Sequence, residues 1–168
     1  MISVRLGRLD EAETEALLCP VRSDFSGLTG AVRRVEMRAG EQVRASLAGM
    51  GELPVGGAVV TPGGELPAGF IIHAVVESPE ESITPMGIQR AVVNGLRRAR
   101  EWEVASLAVP PVGLGAGALD AEAAASALID LIYDHLQEGT PPANIVIVVE
   151  NAFEEELFQR LLAAAQRF

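Results

Sequence analysis

The sequence contains no lysine; all thirteen of its basic residues are arginine. A Schiff-base lysine and a P-loop lysine are thereby excluded. One cysteine, Cys19, excludes an intrachain disulfide framework and a multi-cysteine zinc site. The two histidines, His73 and His135, stand far apart and outside any HExxH pattern, so neither a metal nor another cofactor is expected. No apolar run approaches the ~20 residues of a membrane-spanning helix. The stretch Met1-Ile2-Ser3-Val4-Arg5 does not read as a secretory signal, which makes the cytoplasm the expected compartment.

What is present suffices for one sizeable core. With 168 residues, 49% of them apolar, and a mean hydropathy of +0.27, the chain is too apolar to be disordered and reads as a single domain over 1–168. Its net charge of −10 is uneven: residues 1–50 carry seven arginines and seven acids, whereas 51–168 carry six arginines and sixteen acids. Such a field repels nucleic acid and an anionic membrane. A small phosphorylated ligand remains compatible, because backbone N–H groups bind phosphate locally. The oligomeric state is left open.

Alternation predicts a first strand over Ile2 to Leu6, and Glu15 to Cys19 reads as a short buried strand stopped by Pro20. A polar loop over Ser23 to Gly30 leads into one helix from Gly30 to Ala48, ended by Gly49-Met50-Gly51. Strands at 58–61 and 70–75 flank the turn Pro62-Gly63-Gly64 and suggest an antiparallel pair. Thr84-Pro85 starts a helix, as a capping threonine followed by a first-turn proline. Ser106 to Val109 is a strand, and Asp120 caps a helix running to Gln137. The Ile/Val run at 144–149 reads as a central strand covered on both faces. Asn151 opens the last helix, with Glu154 completing a capping-box-like pair. Strands that alternate with helices and lack a polar face predict a three-layer α/β/α sandwich. Its sheet is expected to be mixed, mostly parallel, with about six strands.

The segment Val109-Pro110-Pro111-Val112-Gly113-Leu114-Gly115-Ala116-Gly117-Ala118 lies between a strand and a helix. Its alternate glycines let backbone approach a ligand, and the helix that follows could gather N–H groups around a diphosphate. The spacing is not the GxGxxG of a dinucleotide site.

Several segments together resemble the macro domain, the ADP-ribose-binding α/β/α module. Gly7-Arg8-Leu9-Asp10 stands where that family has Gly-Asp-Ile-Thr, and Glu15-Ala16-Leu17-Leu18 is similar to its Asp-Ala-Ile-Val strand. Arg38-Ala39-Gly40 resembles its Ala-Ala-Gly, with no gap in spacing from Gly7. The run from Gly56 to Pro67 resembles its Gly-Glu-Ala-Val-Val-Thr…Leu-Pro turn, and Ile72-His73-Ala74-Val75 its Ile-His-Ala-Val strand. Val109 to Gly117 resembles the stretch that cradles ligand phosphates. The resemblance implies a module that binds ADP-ribose or a related nucleoside diphosphate. Two backbone loops would hold the diphosphate, Thr29, Gly30 and Ala31 in one and Gly113, Leu114, Gly115, Ala116 and Gly117 in the other. Arg8, Leu9 and Arg22 complete the expected ligand-binding set.

The departures from the family pattern matter as much. Arg8 replaces an aspartate that accepts from the adenine amino group, and a guanidinium has no acceptor. Cys19-Pro20-Val21-Arg22 replaces Asn-Ala-Ala-Asn, whose asparagines surround the distal ribose. Leu28-Thr29-Gly30 replaces a triple glycine, and Glu150 stands near the position of an adenine-stacking aromatic. An alternative reading is a hydrolase of ADP-ribosyl esters or phosphoesters, with Asp24 as the candidate catalytic base. A further alternative is a macro-like scaffold without a ligand. Asp24 has the competing reading of an Asx turn. Cys19 could be a nucleophile activated by Arg22 or a packed thiol. His73 reads as a hydrogen-bonded core residue, and His135 as a solvated side chain or one near a helix C-terminus. Trp102 is expected to pack against the sheet edge, and Arg8 and Arg22 to reach phosphate or pair with nearby acids.

Overall fold

A computed structural model describes residues 1–114 and 119–165. Six strands make one sheet: β1 (Ile2–Leu6), β2 (Ala16–Arg22), β3 (Ala58–Pro62), β4 (Phe70–Glu77), β5 (Ser106–Val109) and β6 (Asn144–Val149). Their order is β1-β6-β5-β2-β4-β3. Every pairing is parallel except that of β3 with β4, which is antiparallel at the edge. The expected mixed, mostly parallel sheet is thus present, including the early hairpin.

Side chains alternate along each buried strand and divide the core in two. Leu17, Cys19 and Val21 of β2 meet α1 (Gly30–Ala39) and α2 (Glu41–Ala48) on one face. Ala16 and Leu18 face the other side, under α3 (Pro85–Glu101), α4 (Ala121–Gln137) and α5 (Ala152–Ala165). A short 3-10 turn, Leu9–Glu11, follows β1 and packs its fully buried Leu9 into the α1/α2 side.

The caps follow the sequence. Thr29 Oγ1 accepts from Val32 N–H, Thr84 Oγ1 from Gly87 N–H and Asp120 Oδ2 from Ala123 N–H. Asn151 Oδ1 accepts from Glu154 N–H, but the reciprocal bond runs from Glu150 N–H rather than from Asn151.

Three local expectations are corrected. Strand β2 does not stop at Pro20 but continues to Arg22. Its ladder to β5 holds only Ala16 and Leu17, so around Pro20 the strand pairs with β4 alone, and a missing N–H is tolerated there. The single helix over 30–48 is two, split at Gly40, whose φ of 102° no L-residue adopts cheaply. A Cβ at Gly40 would also lie 2.8 Å from Glu65 Oε2. Gly40→Ala is accordingly expected to cost about 1–2 kcal/mol, measured as a lower urea midpoint with an unchanged slope. His135 is near the end of α4 as anticipated, but it is buried rather than solvated, with Nε2 3.0 Å from the Pro142 carbonyl oxygen.

His73 is a core residue whose Nε2 lies 2.9 Å from Thr61 Oγ1. Burial lowers its pKa to about 4, so it is neutral at pH 7. Trp102 keeps about half its surface in solvent, with its ring 5.3 Å from that of Phe70 at the start of β4.

Candidate functional site

The sheet topology opens a crevice where β2 and β5 part. Chain leaving β2 crosses to α1 on one face, and chain leaving β5 leads to α4 on the other. Ligands of open α/β sheets bind at such a switch point, beyond the carboxyl ends of the strands. Here it forms a cleft of about 290 Å³. Pro20 lies at its base; Thr29, Gly30 and Ala31 line one wall, and Pro110 to Leu114 the other. Leu28 and Leu114 also line it, each over nine-tenths buried, and the cleft persists between them.

The first wall is the amino end of α1. Four N–H groups at such an end lack helical acceptors. Thr29 takes one of them, Val32 N–H. Among the described residues Gly30 and Ala31 N–H have no acceptor, which makes this end of the helix a donor site with a favourable dipole. Gly30 leaves space: an added Cβ would meet nothing closer than Arg34 Nη1 at 3.6 Å. On the second wall Gly113 has φ 94°, and a Cβ there would lie 3.1 Å from Ile88 Cδ1. The Leu114 N–H donates to the Pro111 carbonyl, so of these two residues only Gly113 keeps an N–H without an acceptor among the described residues. Gly115, Ala116 and Gly117 lie outside the described residues.

Two arginines that the sequence reading passed over also line the cleft. Arg33 and Arg34 sit one turn into α1, where residues following a phosphate-binding helix end would face a ligand. That spacing from Thr29 was the available signal. Arg34 pairs with Glu150, at the start of the turn into α5, and bridges the two sides of the cleft. Glu150, Asn151 and Glu154 close that end. Behind Arg34 lies Asp10, whose side chain is fully buried. Arg8 binds it through Nε and Nη2, at 3.2 and 3.0 Å, and Arg38 Nη1 at 3.0 Å; Arg34 Nε is 3.8 Å away. Burial alone would raise the Asp10 pKa, but the hydrogen bonds from Arg8 and Arg38 prevail and hold it below the usual carboxylate range.

The remaining sequence candidates lie elsewhere. Arg8 is engaged with Asp10, and Leu9 is packed in the core. Arg22 donates to Glu77 Oε1 at 3.1 Å and to the Gly27 carbonyl at 3.0 Å. Asp24 lines a separate cavity of about 220 Å³ with Arg22 and Glu77. Its Oδ1 accepts from both Ser26 N–H and Ser26 Oγ, an Asx turn, and these bonds lower its pKa. The structure therefore does not bring Asp24 to the cleft. Cys19 is 1% exposed; burial, reinforced by Glu36, pushes its thiol far up, so of the two readings it is the packed thiol and not the activated nucleophile. No group of three metal-ligating side chains occurs among the described residues. Nor is any described helix long and apolar enough to cross a membrane.

A sequence model of the Macro domain matches residues 23–128, which include the amino end of α1 and the whole described cleft wall after β5. The chain belongs to the macro domain family. An Enterobacter cloacae protein named O-acetyl-ADP-ribose deacetylase is 33% identical over 149 residues, 81% of this chain and 77% of that protein. An uncharacterized Aeropyrum pernix protein is 34% identical over 120 residues, and the match covers 71% of this chain and 64% of that protein. Among solved structures, the Oceanobacillus iheyensis macrodomain with ADP superposes with a TM-score of 0.88 at 20% identity, covering 98% of this chain and 90% of the other. The Trypanosoma brucei macrodomain in complex with ADP gives 0.86 at 17% identity, covering 96% and 68%. At such identities the likeness establishes the macro domain fold of this chain.

Proposed function

We propose that this macro domain, acting as one module over residues 1–168, binds ADP-ribose or a related nucleoside diphosphate in the cleft between β2 and β5. The observation that carries the reading is the convergence of two walls on one cleft. The N–H groups of Gly30 and Ala31, which have no acceptor among the described residues, line the same cleft as Gly113 and Leu114, together with Arg33. A diphosphate needs several donors in a partly dehydrated groove, and helix-end amides with a guanidinium supply them. Solved macrodomains of this fold that hold ADP support the same choice.

Isothermal titration with ADP-ribose, ADP and AMP tests it. ADP-ribose and ADP are expected to bind, and AMP at least about tenfold more weakly, because AMP offers one phosphate group where the cleft has two donor walls. Absence of heat and of thermal shift with all three would refute the reading.

The relatives named O-acetyl-ADP-ribose deacetylase support a second reading, ester hydrolysis in the same cleft. Asp24 lies outside the cleft and the Cys19 thiol is buried, so neither stands where an ester bound in the cleft would need a base or nucleophile. Binding without turnover is therefore the expected outcome when O-acetyl-ADP-ribose is supplied and acetate release is followed. Release abolished by Asp24→Ala would favour the hydrolase instead.

A further inference from the structure

A second cavity of the macro domain lies away from the cleft, between α3 and α4. It has a volume of about 350 Å³ and is lined by the buried Ile88 and Val112, the half-buried Leu131 and the exposed Ala127. Met86, 72% exposed, stands at its lip. The groove continues past Gln89, Leu131 and Asp134 into a second hollow of about 230 Å³ that reaches Arg100 and Glu138. Each flanking helix has 17 residues; at 1.5 Å per residue that is about 25 Å of channel, room for several helical turns.

The charges on the Met86 half are of one sign. Asp120, Asp130 and Asp134 line it, with no cationic side chain among the described lining residues. Asp130 and Asp134 are exposed, stand at i and i+4 on α4, and have no ion-pair partner among the described residues. Like charges at this spacing oppose the helix that carries them. None of the arginines of α3 makes an ion pair with them: Arg90 pairs with Glu81, Arg98 with Glu101 and Arg100 with Glu138, while Arg97, which lines the second hollow with Asp134, donates to Asn94.

We propose that the α3/α4 groove of this macro domain is a docking site for a short amphipathic helix of a protein partner, one whose apolar residues are flanked by arginine or lysine. An apolar stripe at i, i+3 or i+4 and i+7 would lie along the groove over Ala127 and Leu131. Its basic flank would sit against Asp130 and Asp134 and relieve their repulsion. Val112 lines both this groove and the cleft, so the docked partner adjoins the ligand site without occupying it. The proposal does not depend on what the cleft binds.

The test uses the intact protein and a labelled helical peptide of about 14 residues, with leucines on one face and arginines flanking them. A second peptide carries glutamate in place of arginine. Fluorescence anisotropy is expected to show binding of the basic peptide alone. Binding should weaken at least about tenfold in the double variant D130N/D134N, and also in A127W, which puts an indole into the groove. The double variant E13Q/E52Q removes two exposed carboxylates elsewhere and should stay within about twofold. Equal losses in the two double variants, or no loss in D130N/D134N, would overturn the proposal as non-specific charge attraction. No binding by the basic peptide would overturn it as well. So would a dimer in sedimentation that dissociates in A127W, since a second copy would then be the occupant.

Discussion

Gly30→Glu is expected to abolish diphosphate binding while leaving the fold intact. The side chain enters open space, because the nearest atoms to an added Cβ are flexible arginine ends at 3.6 and 3.9 Å. An acid in the first turn of α1 also suits the helix dipole, so thermal stability should be unchanged or slightly raised. The ligand meets the opposite situation. A carboxylate about 5 Å from a phosphate charge, at an effective dielectric near 20, opposes it by about 3 kcal/mol. The diphosphate carries more than one such charge, and the new carboxylate would also draw Arg33 and Arg34 away from it. Affinity for ADP-ribose should fall at least about 100-fold by titration calorimetry. Gly30→Ala, which keeps the N–H and adds one methyl, should stay within about threefold. Equal affinities for wild type and Gly30→Glu would show that ligand does not reach this helix end.

Asp10→Asn should produce the largest loss of stability. The wild-type carboxylate is fully buried and receives charged hydrogen bonds from Arg8 and Arg38. Each such bond is worth roughly 1.5–3 kcal/mol to a buried acceptor. The arginines are 38–49% exposed and regain water when released, which reduces the cost to about 2–4 kcal/mol overall. The sign with pH follows from the lowered Asp10 pKa. Its contribution is complete above the ordinary carboxylate pKa and is lost as pH falls through the lower folded value. Urea midpoints measured from about pH 7 to about pH 3 should therefore draw closer for wild type and Asp10→Asn toward the acid end. A constant gap across that range would mean that Asp10 is not held as a carboxylate by its arginines. Because Arg34 stands between Asp10 and Glu150, the variant should also loosen the closed end of the cleft.

The backbone scaffold was legible because it is local. Thr29, Thr84 and Asp120 announce helix starts through their own side chains, and the Ile/Val run of β6 needs no knowledge of its neighbours to read as central. Errors arose where a neighbour decides. Pro20 reads as a stop until β5 is seen to pair only with the first two residues of β2. Gly40 reads as tolerable within a helix, yet its positive φ turns the chain between α1 and α2. Of the cleft, the part built from backbone was visible in the sequence as Thr29-Gly30-Ala31 and Gly113-Leu114. Side-chain roles were less so. Arg8 and Asp24 stood at suggestive positions, but a guanidinium or carboxylate goes to whichever partner is nearest, here Asp10 and Ser26. Arg34 and Glu150, 116 positions apart, meet only once the sheet is assembled.

That assembly has an order imposed by its edge. Strand β1 pairs with β6 alone, Ile2 opposite Ile145 and Leu6 opposite Val149. During synthesis β1 must therefore wait for β6, made about 140 residues later, its apolar Ile2 and Val4 lacking a ladder in the meantime. A nascent chain halted before Asn144 would hold β1 without its partner, within reach of proteases and chaperones, until β6 arrives to retain it.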